Sequence, residues 1–497
     1  MKFISTRDTA KQSLYDSAEV IKLGLAPDGG LFVPESIPAL SEDDMKDMMK
    51  MSYAQRAAHV LSFYLTDYSK EELLADCEAA YGTVSFPESA TVVKKVNERL
   101  SVLELWHGPT AAFKDMALQI MPRLLSRALR KTNEKRDALV LVATSGDTGK
   151  AALEGYKDVP HIKIEVFYPV DGVSKMQKLQ MATQEGGNVE VCAVKGNFDD
   201  AQNGVKQLFA SEEMKKEIAG YGYVFSSANS INWGRLAPQI AYYVSAYLDM
   251  VAAGTVSMGE TIDVCVPTGN FGNILAAFIA KKMGLPIAKL VCASNRNNVL
   301  TDFLNTGVYD RNRTFYTTSS PSMDILISSN LERLLWFAAG PEKTANYMDS
   351  LKKNGKYVAN ENEMQYIRSL FCGYCADENK TYEAIKKYKA QYGYTVDPHT
   401  AVALSCADEF MAGANDQRPM LAVSTASPYK FANSVISALG GIPAEDGFEA
   451  CSQLSEMSGM PIHRAIDELR AKKVRFTKVI EPAQMSAAVL DWLNQKN

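Results

Sequence analysis

The sequence predicts an α/β protein built on open, mostly parallel sheets, and three observations carry that prediction. Short apolar runs alternate with helical patterns along most of the chain, each run ends in a glycine-containing or hydroxyl-rich loop, and neither an internal repeat nor a long linker breaks the alternation. Strands that alternate with helices pair in parallel, and open parallel sheets gather ligands at the C-terminal ends of their strands. The composition of the 497 residues, 46% hydrophobic and 22% charged, is that of a globular protein and excludes a disordered or fibrous one. At roughly 150 residues per domain the length suits two to four domains.

Residues 1–95 read as a mostly helical domain. Asp28-Gly29-Gly30 is a turn signal ahead of the strand-like Leu31-Phe32-Val33-Pro34. Ser41 and Asp44 frame a capping box, and the stripe Met45, Met48, Met49 that follows is expected in a core. An amphipathic helical pattern fills 53–81. Beyond it, strands are expected at 101–105, 138–143, 162–168, 189–194, 262–266 and 420–424. The apolar stretch 237–256 carries Gln239, Ser245 and Asp249 and reads as a buried helix, since a membrane span needs about 18 uninterrupted apolar residues. Residues 96–120 and 225–497 are assigned to a larger α/β domain and 121–224 to a smaller, mobile one.

Several function classes are argued against. Lys plus Arg total 53 against 58 Asp plus Glu, a net charge of −5, and the one dense basic stretch, 127–136, reads as the solvated side of a helix, so no nucleic-acid partner is expected. The N-terminal residues lack an apolar core for a signal peptide, and eight cysteines are too sparse for a disulfide scaffold, which points to the cytoplasm. Cys372 and Cys375 read as two core thiols one helical turn apart. The five histidines form no HxH or HxxxH pair, so no metal is expected, and neither GxGxxG nor GxxxxGK[ST] occurs.

Three loops carry the chemistry. Gly269-Asn270-Phe271-Gly272-Asn273 joins a strand to a helix; such a loop points backbone N–H groups at one spot, where the helix dipole favours an anion. A tight structural turn would look the same. Ser145-Gly146-Asp147-Thr148-Gly149 has the same context and suits a carboxylate or phosphate, or a plain N-cap. Lys114 follows Ala111, Ala112 and Phe113; apolar surroundings lower a lysine's pKa and free its amine for a Schiff base, whereas a packed stem with a solvated ammonium is the bland alternative. Together, a phosphate cradle, an anion-binding loop and a helix-start lysine are the parts of a pyridoxal 5′-phosphate site.

The segment His107-Gly108-Pro109-Thr110-Ala111-Ala112-Phe113-Lys114-Asp115-Met116-Ala117-Leu118-Gln119 resembles the lysine segment of the threonine synthase family. Gly24-Leu25-Ala26-Pro27-Asp28-Gly29-Gly30 is similar to that family's N-terminal signature. The loop 145–149, Asn229-Ser230-Ile231-Asn232, 269–273, Asp397-Pro398-His399-Thr400 and 425–431 follow in the family's order. The resemblance spans nearly the whole chain and implies the tryptophan-synthase-β-like fold, fold type II, with two open sheets beside the helical N-terminal domain.

It implies a lyase that turns O-phospho-L-homoserine and water into L-threonine and phosphate by γ-elimination and β-addition, the last step of threonine biosynthesis. Lys114 would be the Schiff-base lysine and the general base. Gly269, Asn270, Phe271 and Asn273 would hold the cofactor phosphate, and Thr425 would set a hydroxyl at the pyridine nitrogen. Ser145, Gly146, Asp147 and Thr148 are candidates for the substrate carboxylate. Asn229, Ser230, Asn232 and Arg235 are candidates for its phosphate, with Lys150 a competitor read as a solvated surface lysine. His107 is a candidate catalytic or positioning group and His399 a structural one. Related type II enzymes commonly have asparagine where this chain has Asp147, which is expected either to share a proton with the cofactor's phenolic oxygen or to cap its own helix. A phospho-lyase that releases 2-oxobutyrate from O-phosphohomoserine or O-phosphothreonine would share these residues, and a silent binding protein on the same scaffold would not need Lys114. A monomer or homodimer without a membrane partner is expected.

Overall fold

The computed structural model describes residues 1–10, 13–144, 146–170, 173–414 and 417–495. Two open sheets organise it. The larger has six strands in the spatial order Phe371–Cys375, Ile287–Ser294, Ile262–Pro267, Met420–Ser424, Leu100–Glu104 and Val92–Lys95. All pairings are parallel except the last, where Val92–Lys95 runs antiparallel to Leu100–Glu104. The smaller sheet has five parallel strands, Val479–Ile480, Val189–Val194, Ile162–Pro169, Asp137–Ala143 and Tyr223–Ser226. The chain therefore folds as an α/β protein on two open, mostly parallel sheets, as the sequence predicts.

The strands at the middle of the larger sheet are buried on both faces, which is why they read as unbroken apolar runs rather than alternating ones. Helix Trp233–Ala252 lies almost wholly inside the molecule, against Tyr53–Ser62 on one side and Gly272–Met283 on the other. Among the described residues no helix is long and apolar enough to cross a membrane. The N-terminal helices Glu42–Met48, Tyr53–Ser62 and Lys70–Tyr81 each begin with a serine in a capping box, and Met45 and Met48 are buried as expected.

Two expectations are corrected. Cys372 and Cys375 lie on strand Phe371–Cys375, not a helix; Cys372 pairs in register with Val291 at the edge of the larger sheet. The segment is too short for helical periodicity to tell against alternation. The basic stretch is a solvated face only in part, with Arg130 and Lys135 exposed. In helix Met121–Lys131, Arg127 binds Asp76 at 2.6 Å and Lys131 binds Glu72 at 2.7 Å, an ion-paired seam against helix Lys70–Tyr81.

Candidate active site

Three adjacent strands of the larger sheet end at one place. After Leu100–Glu104 the chain runs through 105–113 laced to the residues after Met420–Ser424: Leu105 N–H donates to Ser424 O at 3.0 Å, Phe113 N–H to Thr425 O at 2.8 Å, and Ser427 N–H to Ala111 O at 3.0 Å. Ala111 holds a left-handed φ of 58° in this segment. Asp115, fully buried, locks the turn by accepting from Thr110 N–H at 2.8 Å and Thr110 Oγ1 at 2.7 Å. Burial pushes its carboxyl up to about 6 against those hydrogen bonds.

This scaffold presents Lys114 with its side chain 11% exposed, so the amine is reachable yet poorly hydrated. Its Nζ donates to Ser322 Oγ at 3.3 Å and lies 3.9 Å from Asp147 Oδ2 and 5.2 Å from the centre of the Phe113 ring. Burial lowers its pKa to about 8; Lys430 and Arg235 push the same way, while Asp147 and Asp115 oppose. A substantial fraction of the amine is therefore neutral near pH 7.5.

Asp147 comes from the smaller sheet, as the first residue of helix Asp147–Tyr156, and does not cap that helix: Gly146 is the N-cap. Its Oδ1 sits 2.8 Å from Lys430 Nζ and accepts from Gln177 Nε2 at 3.0 Å. Burial by itself would raise this carboxyl, but Lys430 and Lys114 hold it well below the usual carboxylate range, so it is ionised. The flanking residues serve the loop itself: Gly146 and Gly149 N–H both donate to Thr144 Oγ1 at 3.0 Å. Thr148 is half-buried beside them. Ser145 lies outside the described residues.

The glycine loop follows strand Ile262–Pro267. Phe271 adopts a left-handed φ of 63° at the N-cap of helix Gly272–Met283 and offers the first helical N–H groups no side-chain acceptor. The loop is held from outside. Asn330 bonds Asn270 O through its backbone at 3.1 Å and its side chain at 2.9 Å, and Ser328 Oγ donates to Gly269 O at 2.7 Å. Asn273 Oδ1 accepts from Tyr242 and Tyr243 hydroxyls at 2.5 and 2.6 Å, which leaves its buried Nδ2 without a partner. Ser322 joins this loop to the lysine: a Cβ on Gly269 would stand 2.8 Å from Ser322 O, while Ser322 Oγ receives the Lys114 amine. Uncapped N–H groups and an orphan amide donor fit the phosphate of pyridoxal phosphate. Thr425, also buried, sits at the adjoining strand end beside the lysine segment.

The remaining candidates fall into different settings. Arg235 is buried, donates Nη1 to Ala228 O at 2.7 Å, and keeps a buried Nε without a partner; burial lowers its pKa to about 10. Asn232 is engaged at both ends, Oδ1 capping Gly234 N–H at 2.8 Å and Nδ2 donating to Ile21 O at 3.0 Å. Ser230 gives its carbonyl to Asn330 Nδ2 at 3.3 Å, and Asn229 is exposed. Lys150 is no surface lysine: it is buried, 2.9 Å from Glu154 and 2.5 Å from Gln184 Oε1. The surface reading of Lys150 fails because nearly every residue of helix Asp147–Tyr156 is buried. His107 pairs with Glu104 at 2.8 Å and stacks on Trp106. His399, in the first turn of helix Pro398–Gly413, contacts Asp397 Oδ2 through Nδ1 at 2.6 Å and accepts Ser322 N–H on Nε2 at 3.1 Å. It therefore props the turn that faces Lys114.

Comparison with known proteins agrees with this arrangement along the chain. Three family profiles match in succession: "Threonine synthase N terminus" at residues 2–81, "Pyridoxal-phosphate dependent enzyme" at 87–426 and "Threonine synthase, C-terminal" at 400–486. Threonine synthase of Saccharomyces cerevisiae is 36% identical over 465 residues, 88% of this chain and 89% of the yeast one. The chain belongs to the threonine synthase family of pyridoxal-phosphate-dependent enzymes. Human threonine synthase-like 1 is 39% identical over 455 residues, and the match spans 88% of this chain but 60% of that longer protein. The crystal structure of pyridoxal-phosphate-bound threonine synthase from Brucella melitensis superposes with a TM-score of 0.87 at 33% identity, covering 99% of this chain and 98% of that one. Within this member of the family, Ser322 and Lys430 stand at the lysine centre although no sequence motif singled them out. Lys430 lay inside the quoted stretch 425–431 but carried no local sign of burial.

Proposed function

We propose that the protein is a threonine synthase, converting O-phospho-L-homoserine and water to L-threonine and phosphate with pyridoxal phosphate as cofactor. The observation that carries this reading is a lysine of lowered pKa linked through Ser322 to a phosphate-fitting glycine loop, in a chain that matches yeast threonine synthase over 88% of its length. Lys114 carries the cofactor. The N–H groups of 269–273 and the orphan Nδ2 of Asn273 would hold its phosphate, and Thr425 would offer a hydroxyl to its ring. Bound pyridoxal phosphate supplies a conjugated, electron-withdrawing system that acidifies the substrate protons at Cα and Cβ.

The chain's own groups do the rest. Lys114 would take the Cα proton as a neutral base and later return it, a task suited to a pKa near working pH. The N–H groups of Asp147 and Thr148 at the start of helix Asp147–Tyr156 receive the substrate carboxylate, since those of Gly146 and Gly149 are already given to Thr144. Arg235, with Nε still free, holds the leaving phosphate; Ser230 and Asn229 stand beside it, and Asn232 sets the helix start that aims the guanidinium. Closure of the smaller sheet, which takes in Tyr223–Ser226 and Val479–Ile480 as well as the strands of 121–224, over the larger one keeps water out until phosphate has left. With eight free cysteines the protein suits the reducing cytosol.

The test is an absorption spectrum of the purified protein with pyridoxal phosphate, before and after O-phospho-L-homoserine, with threonine and phosphate assayed together. A visible cofactor band and equal yields of both products are expected, and Lys114→Ala should lose the band and at least a thousandfold of the rate. Phosphate with 2-oxobutyrate would identify a phospho-lyase instead. No band at all would end the enzyme reading.

A further inference from the structure

Lys430 has no part in the reaction as described, yet its ammonium is buried at the same centre, its side chain 1% exposed. It stands on the turn Pro428–Phe431, beyond the strand that ends at Thr425. Its Nζ donates to Thr110 O at 2.9 Å and meets Asp147 Oδ1 at 2.8 Å. The other oxygen of the same carboxylate lies 3.9 Å from Lys114. Asp147 is thus shared unequally between two lysines, and since attraction falls as the inverse of distance the nearer one gains about 1.4-fold more from it. Gln177 Nε2 strengthens the preference by donating to the Oδ1 that Lys430 already holds.

The row Lys430–Asp147–Lys114 carries a net positive charge when all three groups are ionised, and a poorly hydrated row sheds that charge at its least stabilised member. Lys430 has two close acceptors; Lys114 has one long ion pair and a hydroxyl. The other charged groups that act on Lys114 do not reverse this. Arg235 also opposes its protonation, and Asp115 is occupied by Thr110. The remaining neighbours, Ser322 and the Phe113 ring, are uncharged.

We propose that Lys430 is a positioning residue that detains Asp147, and by doing so stops that carboxylate from pairing with Lys114 and leaves the Lys114 amine free to react. Because Asp147 begins a helix of the smaller sheet and Lys430 follows a strand of the larger one, the same pair ties the two sheets together across the cleft. Loss of Lys430 would leave Asp147 with Lys114 as its nearest cation, a tighter pair that keeps the ammonium protonated and turned from the glycine loop. The inference rests on Lys114 being the cofactor lysine.

The experiment reads Lys114 itself. The full chain, freed of cofactor, is pulse-acylated with acetic anhydride across pH 6 to 10 and the modification at Lys114 is quantified by peptide mass spectrometry, beside the rate of pyridoxal phosphate uptake. In Lys430→Met the expected result is about tenfold slower acylation of Lys114 and slower cofactor uptake at pH 8, both regained at higher pH, the equivalent of moving the ionisation by about one pH unit. Lys430→Arg should keep the wild-type profile, and Asp147→Asn/Lys430→Met should restore it. An unchanged Lys114 profile in folded Lys430→Met overturns the proposal. If that variant does not fold, Asp147→Asn alone decides: the acylation midpoint of Lys114 must fall, and a midpoint that stays or rises overturns it. Borohydride trapping of the cofactor on a different lysine would sink the functional reading, a result independent of these midpoints.

Discussion

Asn273 shows how one side chain can serve a scaffold and a ligand at once. Its Oδ1 satisfies two buried tyrosine hydroxyls, Tyr242 and Tyr243, and its Nδ2 is left for an anion. Asn273→Ala strands both hydroxyls in a dry core, so it should cost about 2–4 kcal/mol in urea unfolding and also weaken cofactor binding. Loss of affinity with stability unchanged would mean the tyrosines find other acceptors. Residues of this kind divide by how far their partners lie along the chain. Lys114, Gly269 and Asn273 stand out as candidates because each sits in a local pattern, a strand end followed by a glycine or a helix start, while Thr425 enters through the family resemblance. Ser322 and Lys430 do not stand out, since nothing within a few residues of them reports the company they keep, whereas His399, expected at a helix start as a structural group, does prop the turn facing Lys114. Asp147 was legible only as an oddity; the lysine that explains it arrives from a distant segment.

At the scale of elements, the glycine loop and the turn Pro321–Met323 are the two pieces that must fit. Asp324 accepts from Asn295 Nδ2 at 2.7 Å, Asn297 Nδ2 at 2.9 Å and Thr318 N–H at 2.9 Å, which fixes the turn from behind. Ser322 O then stands 2.8 Å from where a side chain on Gly269 would begin. A methyl group there cannot be absorbed by a turn so tied, so Gly269→Ala should displace the loop. The expected result is at least a tenfold loss of pyridoxal phosphate affinity by absorption titration, with about 1–3 kcal/mol lost in urea unfolding without cofactor. Unchanged affinity would mean the loop can shift as a body. The same scale explains the misread cysteines. Helical and extended periodicities diverge only over several residues, and the five-residue strand Phe371–Cys375 is too short to separate them, whereas the repeated strand–loop–helix alternation is long enough to give the fold class.

For the whole molecule the question is where stability is held back, and Glu165 marks one such place. It lies on the central strand Ile162–Pro169 of the smaller sheet, fully buried, with neither carboxyl oxygen hydrogen-bonded. Burial raises its pKa well above the ordinary 4.5, Glu190 adds to the rise and Lys478 opposes it. The folded chain therefore keeps a proton that the unfolded chain releases. Its contribution is fully present below about pH 4.5 and is lost as pH climbs from there toward the raised folded value. Glu165→Leu removes both the retained proton and the unpaired polar atoms, at similar volume. It should raise the unfolding free energy by about 1–3 kcal/mol at pH 8, with a smaller gain at pH 5, read by urea melts at the two pH values. A gain equal at both would mean the carboxyl is already ionised in the folded chain. Because Glu165 shares its sheet with the strand that leads into Asp147, a more stable smaller sheet also holds the Asp147–Lys430 tie more rigidly. The variant should then be more stable but no faster in the proposed reaction, since a cleft that must open to release its product gains nothing from a stiffer wall.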